Sequence, residues 1–365
     1  MTELRPRAGE GDEASGGDLE GGALTNERAA TADSTSGTES TAVTAPSRRG
    51  WPWEWTPGRI GLAVYLVLLI TYCVVKGIPF DRIGQTGWIV AGILAAKIGR
   101  PWQEHVRTLL SWLPLLAALV MYDFTRGIAD NLDRPVLVGE LADAEAWLFG
   151  GTTPTVWLQE HLYMPTIQWW DVLASVVYFT HFVVPWALAA VLYVRSRTLW
   201  APYIRRVLLL SYAGLITYIL LPAAPPWYAA YFGEISEPVS RIATRGWELL
   251  GLRGAGAWFS EAQADVNQVA ALPSLHSAFA LLVTVSLWPF VHNVVLRTVL
   301  VLFPLAMAFT LVYGGEHYVI DVLAGWFYVV VVLLVARAWE RWRARREGPP
   351  ATAEPDALAE PASRA

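Results

Sequence analysis

Charge is scarce in this sequence. Only 16% of its 365 residues are Asp, Glu, Lys or Arg, against about a quarter in an average soluble domain. The charges also crowd into the two ends, so the middle is poorer still. That pattern excludes an ordinary water-surrounded globule and points to a lipid-embedded body with polar tails. Cysteine is nearly absent as well. The single Cys73 excludes an internal disulfide and a thiolate-held metal. HExxH is missing, and so are DxD-type carboxylate clusters, so neither a metal nor any other cofactor is expected. No basic stripe offers a surface to nucleic acid, and the formal net charge is −5. The N-terminus lacks a basic stretch running straight into an apolar core. The first apolar run, from Ile60 to Val75, is therefore expected to be a retained anchor and not a cleaved signal. No long repeat is evident.

What the sequence does have is apolar length. Hydrophobic residues make up 54% of it. Residues 1–50 are rich in Gly, Ser, Thr, Ala and Glu and cannot bury enough surface to offset their ordering entropy, so they read as a disordered polar tail. Residues 51–104 hold N-terminal membrane segments, 105–340 form the main membrane domain, and 341–365 form a basic and then disordered tail. A helix needs about 20 residues to cross the hydrocarbon. Runs at 59–77, 84–99, 105–125, 168–194, 204–222, 273–292, 296–313 and 317–338 qualify, the second being short and glycine-rich. The expectation is an all-α, polytopic helical bundle with about eight membrane helices. Trp51, Trp53 and Trp55 precede the first run, while Trp339 and Trp342 follow the last, as interfacial belts would.

Eight crossings from a cytoplasmic N-terminus gather the basic clusters on one side: Lys97, Arg100 and Arg107; Arg195, Arg197, Arg205 and Arg206; Arg297; and Arg337 to Arg346. This satisfies the positive-inside rule and makes both termini cytoplasmic. The main outer loops are then 127–167, which is acidic through Glu140, Asp143, Glu145 and Glu160, and 223–272. His276, His317 and Asp321 share one level, the outer membrane face, with Arg126.

Those residues carry the chemistry. His317 and Asp321 stand four apart at a helix start, so both side chains lie on one face. A carboxylate beside an imidazole fixes its tautomer and stabilises the imidazolium, which suits a histidine attacking phosphorus. His276 lies in Pro273-Ser274-Leu275-His276-Ser277, at another helix N-terminus where free N–H groups favour an anion. It is placed to protonate a leaving oxygen, and Ser274 and Ser277 offer further hydrogen bonds. Arg126 and Arg134 are the candidate phosphate clamps, with Asp123 and Asp130 nearby to orient them. His181 stands in mid-span, where it serves either the head group or packing. His105, His161 and His292 read as interfacial. Pro222, Pro225 and Pro226 end a span abruptly at the rim of the site. Arg241, Arg245 and Arg253, interleaved with Ile242, Trp247, Leu249 and Leu250, fit an interfacial helix that meets anionic lipid, or a solvated loop.

PSLH at 273–276 and HYVID at 317–321 resemble the second and third motifs of the type 2 phosphatidic acid phosphatase superfamily. AAPPW, AALPSLHSA and EHYVIDVLAGW are similar to its inositol phosphorylceramide synthase branch. The resemblance spans roughly 105–340. It departs from the first motif, where Arg126 through Arg134-Pro135 has arginine for lysine and one residue too many. It departs again at Leu311, where the third motif has arginine. The resemblance implies a six-helix phosphatase-like core. It also implies His317 as phosphohistidine nucleophile, Asp321 as its partner and His276 as general acid. The substrate class is a lipid phosphate or phospholipid in the cell membrane, and the acceptor is water or a polyol such as inositol. Two other functions compete. A polyprenyl-phosphate glycosyltransferase needs a carboxylate in the first outer loop, where Asp81 stands alone. A transporter needs polar residues at the bilayer midplane, whereas here they gather at one surface.

Overall fold

The computed structural model describes residues 55–76, 82–129, 134–251 and 268–347, with backbone only at 82, 126–129 and 347. The proposed tail at 1–50 lies outside them, as do Asp81, Asp130 and Arg253. The described residues fold as helices: α1 (Pro57–Lys76), α2 (Arg82–Ala96), α3 (Trp102–Ala129), α4 (Glu140–Leu148), α5 (Pro154–Leu162), α6 (Trp169–Arg195), α7 (Arg197–Leu220), α8 (Pro226–Tyr231), α9 (Leu275–Leu287), α10 (Val294–Tyr313) and α11 (Val319–Glu347). Only isolated bridges join Ala223 to Leu137 and to Ala270, and no strand occurs among the described residues. The all-α expectation holds, and α11 carries the basic stretch after Arg337 onward as helix to Glu347.

Every one of the eight apolar runs is helical. Six of these helices, α1, α3, α6, α7, α10 and α11, are long and apolar enough to cross a membrane, whereas α2 and the helical stretch Leu275–Phe290 are shorter. At about 1.5 Å per residue, α2 and α9 reach only roughly 20–22 Å of a core about 30 Å thick. Six candidate crossings are thus found among the described residues, with two shorter apolar helices packed among them, and length and hydropathy by themselves do not reach the expected count of eight. One of these short helices is the most enclosed. Helix α9 packs on α6, α7, α10 and α11, while α1 touches mainly α2 and buries nothing.

Lipid is as apolar as leucine, so burial alone does not hold such helices together; close approach and interhelical hydrogen bonds do. Both are present around α9. A Cβ on Gly325 of α11 would meet the Ser274 carbonyl oxygen at 2.3 Å, and one on Gly214 of α7 would meet the Leu275 side chain at 3.0 Å. Ala278, Leu282 and Val283 are sealed between them. Prolines inside helices free carbonyls one turn back. Pro304 frees that of Leu300, which accepts the Thr284 hydroxyl at 2.9 Å. Pro185 likewise frees the carbonyl of His181, and its own oxygen accepts from Tyr203 at 3.0 Å.

The bundle has two chemically distinct ends. At one, Arg205 and Arg206 pair with Glu340 (3.2 and 3.6 Å), and Lys97 and Arg197 stand over the Tyr193 ring. At the other lie the N-termini of α9 and α11, the C-terminus of α10, and the long connections carrying α4, α5 and α8. Exposed Trp147, Trp157, Trp169 and Tyr231 ring this second end.

Candidate active site

Two helix starts are tied together at the second end. Ser274 caps α9, its hydroxyl accepting the Ser277 N–H at 3.3 Å. Its own N–H donates to the carbonyl of Asp321 at 2.9 Å. The Ser277 hydroxyl donates to the carbonyls of Ser274 (3.0 Å) and Val322 (3.3 Å), and Tyr218 donates to that of Pro273 at 2.7 Å. Both serines are fully buried. They are engaged in joining α9 to α11, and no open face of them is turned toward a ligand. The PSLHS and HYVID segments, distant in sequence, thus form one rigid corner.

That corner brings the histidines into contact. His317 Nε2 lies 3.4 Å from His276 Nδ1. On its other side, His317 Nδ1 lies 3.4 Å from Asp321 Oδ2 across the expected one-turn spacing. The same carboxylate oxygen accepts the Tyr318 N–H at 2.9 Å, so Asp321 is anchored by the helix start it caps. Asp321 is wholly buried and His317 is 5% exposed. A proton on His317 Nδ1, directed at Asp321, leaves the Nε2 lone pair facing His276. His181 of α6 joins the row, with its ring centroid 4.0 Å from that of His276. Tyr178, one turn earlier on α6, stacks on the other part of His276 at 5.1 Å and 16°.

The two predicted phosphate clamps are not seen at this corner. The Arg126 side chain lies outside the described residues. Arg134 is exposed and makes no ion pair or hydrogen bond among the described residues. Residues 240–247 form a segment that pairs with Glu316, the neighbour of His317 in the chain; for these residues the reading as an interfacial helix or a solvated loop is corrected, while Leu249 and Leu250 beyond them are exposed. The segment is a docked strap. Arg241 grips Glu316 in a fork, Nε to Oε1 at 2.7 Å and Nη2 to Oε2 at 3.0 Å. Its guanidinium also lies 4.9 Å from the Trp227 ring and hydrogen-bonds Tyr178. Arg245 sits 3.8 Å from buried Asp171 and donates to the Met164 carbonyl at 2.7 Å. Ile242 is buried against Ala174 and Tyr313.

Gln159 of α5 fastens this strap. Its amide accepts the Ser240 N–H and donates to the carbonyls of Ser240 and Tyr313, each at 2.8 Å. Gly315 lets the two segments approach: its φ is +73°, and a Cβ there would meet the Ser240 oxygen at 3.0 Å.

A second carboxylate stands behind the site. Glu145 of α4 is fully buried, and its Oε1 accepts the Ile320 N–H at 3.2 Å. Burial pushes its carboxyl up to about 7; the amides at Ile320 and Val319 oppose this, and Asp321 reinforces it. In sequence this residue was only one acid of an acidic outer loop. Arg241, Glu316, Gln159 and Tyr178 were likewise missed as site residues. Their signals were faint: an acid directly before His317, and a tyrosine one turn from His181. No group of His, Cys, Asp and Glu able to hold a metal ion occurs among the described residues.

Comparison with known proteins identifies a family. The model of the PAP2 superfamily matches residues 139–335, narrower than the span expected from the motifs and beginning after Arg134. The phosphoinositol dihydroceramide synthase of Bacteroides thetaiotaomicron is 31% identical over 225 residues, covering 58% of this chain and 71% of that protein. The inositol phosphorylceramide synthase catalytic subunit AUR1 of Saccharomyces cerevisiae is 26% identical over 220 residues. That match covers 58% of this chain and only 52% of the yeast protein, about half its length. No solved structure matches.

Proposed function

Because this chain belongs to the PAP2 superfamily, whose model matches residues 139–335, we propose that it is a membrane lipid phosphotransferase working through a phosphohistidine at His317. One observation carries the reading: His317 offers Nε2 to His276 at 3.4 Å while Nδ1 faces the buried Asp321. In the first step His317 Nε2 bonds to phosphorus and the phosphorus–oxygen bond to the departing lipid alcohol breaks. His276 gives that oxygen its proton, and Asp321 balances the positive charge left on the His317 ring. In the second step an acceptor hydroxyl gives its proton back to His276, bonds to phosphorus and releases His317. A phosphorus reacting in line must stand between nucleophile and leaving oxygen. The 3.4 Å contact therefore opens on binding, with the His276 ring giving way.

The relatives' names favour an alcohol acceptor over water. They also put inositol on the transferred phosphate, with a ceramide-type lipid as the acceptor, and the same assignment is proposed here. Inositol as the free acceptor polyol is the less favoured form. The histidine corner is assigned to the outer face. In support, Lys97, Arg197, Arg205 and Arg206 hold the opposite end of the bundle, where the positive-inside rule puts the cytoplasm.

The test uses purified protein and a phospholipid carrying radiolabelled phosphate under its inositol head group. Label should pass to a ceramide acceptor and, without acceptor, remain on the protein in an acid-labile form. His317→Ala should lose both signals. Turnover by that variant at the wild-type rate would end the phosphohistidine reading.

A further inference from the structure

We propose that Arg241 holds the transferring phosphate beside His317, with Glu316 as the residue that aims it. The proposal rests on the phosphotransfer reading above and supplies the cation that reading needs. Phosphate oxygens require a donor that stays charged and fixed while charge shifts between the attacking and leaving atoms. Among the described arginines of the two long connections, Arg134 is exposed and unpaired, and Arg245 is committed to Asp171 and Met164. Arg241 alone of these three is linked to the histidine row, from both sides. Glu316 immediately precedes His317 in the chain, and Tyr178, hydrogen-bonded to Arg241, stacks on His276.

The fork to Glu316 uses one N–H of Nε and one of Nη2, and Tyr178 takes a third, which leaves two of the five guanidinium N–H groups for a ligand. Exposure agrees: the Arg241 side chain is 32% accessible while its partner Glu316 is only 8% accessible. A purely structural pair would have no need to keep the cation at the open side.

The placement is also rigid. Ser240 and Ile242, on either side of Arg241, are each bonded to fixed backbone or amide groups: Ser240 to Gln159, and the Ile242 N–H to the Gly314 carbonyl at 3.1 Å. Trp227, whose ring backs the guanidinium, is fastened through its backbone N–H to the Gly315 carbonyl at 3.2 Å. The Gly314–Gly315 turn therefore sets Arg241, Trp227 and His317 together, which is what pre-organised binding of an anion requires. These residues lie inside the span matched by the family model, whereas Arg126 and Arg134 precede it.

Orthovanadate, a phosphate mimic, provides a test that does not depend on turnover. Full-length protein in detergent micelles is treated with diethyl pyrocarbonate, and carbethoxylation of His317 is followed by mass spectrometry as vanadate is raised. Wild type should be protected. Arg241→Ala should need at least tenfold more vanadate, Arg241→Lys an intermediate amount, and Glu316→Gln should shift in the same direction with an unchanged melting temperature. Millimolar guanidinium should restore protection to Arg241→Ala, a rescue that a merely structural role does not predict. Wild-type protection in both Arg241→Ala and Arg241→Lys overturns the assignment to Arg241. Absence of protection in the wild type itself overturns the phosphate site, and the assignment with it.

Discussion

The Ser274 N–H donates to the carbonyl of Asp321 at 2.9 Å, so the cap of one helix is bonded to the carboxylate-bearing turn of another. With the Ser277 hydroxyl bond to the Val322 carbonyl, this backbone bond sets the distance between His276 on α9 and His317 in the turn that precedes α11. It forms because α11 has no side chain at Gly325, where a Cβ would come within 2.3 Å of the Ser274 oxygen and 2.7 Å of the Ser277 hydroxyl.

Gly325→Ala should accordingly push α9 away from α11 at the level of the site. Overpacking of this kind costs about 1–3 kcal/mol. Lowered thermal stability together with at least tenfold lower transferase activity is expected. Gly87→Ala, with nothing within 4 Å of its Cβ position, is the control that should leave both unchanged. Equal behaviour of the two variants would mean that the close approach at Gly325 has no such role.

Asp321→Asn separates the two tasks of that side chain. The amide oxygen can still accept the Tyr318 N–H, now bonded at 2.9 Å, so the helix start survives. The charge that balances the His317 imidazolium is lost, and on the scale seen for such orienting carboxylates the rate should fall about 10²–10⁴-fold. Thermal melts and steady-state rates on the same preparation check this. A melting temperature near wild type with little residual activity is the expected result.

Much of this corner was legible from the sequence, for physical reasons that differ from one residue to the next. His317 and Asp321 could be paired because one helical turn fixes their relation locally. Ser274 could be placed at a helix start because Pro273 and the apolar run after it mark one. The level shared by His276 and His317 followed from alternating apolar runs, although two of those runs proved shorter than a crossing. Arg241 was not legible as a ligand. Its neighbours in sequence say loop, and its place is set by Gln159 and Glu316, 82 and 75 residues away, through contacts that carry no local pattern. Glu145 was hidden for the same reason. Its partner amide belongs to Ile320, and nothing near it in the chain distinguishes it from the other acids of its loop.

Thr284 offers a test of how the bundle is held away from the site. Its hydroxyl satisfies the Leu300 carbonyl that Pro304 leaves without an N–H. Thr284→Val keeps the shape and strands a buried acceptor, a change that costs about 1–3 kcal/mol in general. The double variant Thr284→Val with Pro304→Ala restores an N–H for that carbonyl. It should therefore recover part of the loss, and additive destabilisation in thermal melts would argue against this pairing.

Glu145 should give the fold a pH dependence opposite to that of most carboxylates. Its carboxyl is pushed from 4.5 up to about 7 in the folded protein, chiefly by burial, with Asp321 adding to the rise and the Ile320 and Val319 amides opposing it. The folded state therefore holds a proton that the unfolded state releases at lower pH. Between those two values the unfolded chain binds fewer protons, so stability falls as pH rises, and the full penalty is present above about 7. A shift of this size corresponds to a contribution on the order of 3 kcal/mol. Glu145→Gln keeps an acceptor for the Ile320 N–H, now bonded at 3.2 Å, and cannot ionise. Melting temperatures taken from about pH 5 to 8 should decline more steeply in the wild type than in the variant, and the variant should melt higher at the alkaline end. Parallel profiles for the two proteins would show that Glu145 does not titrate in this range.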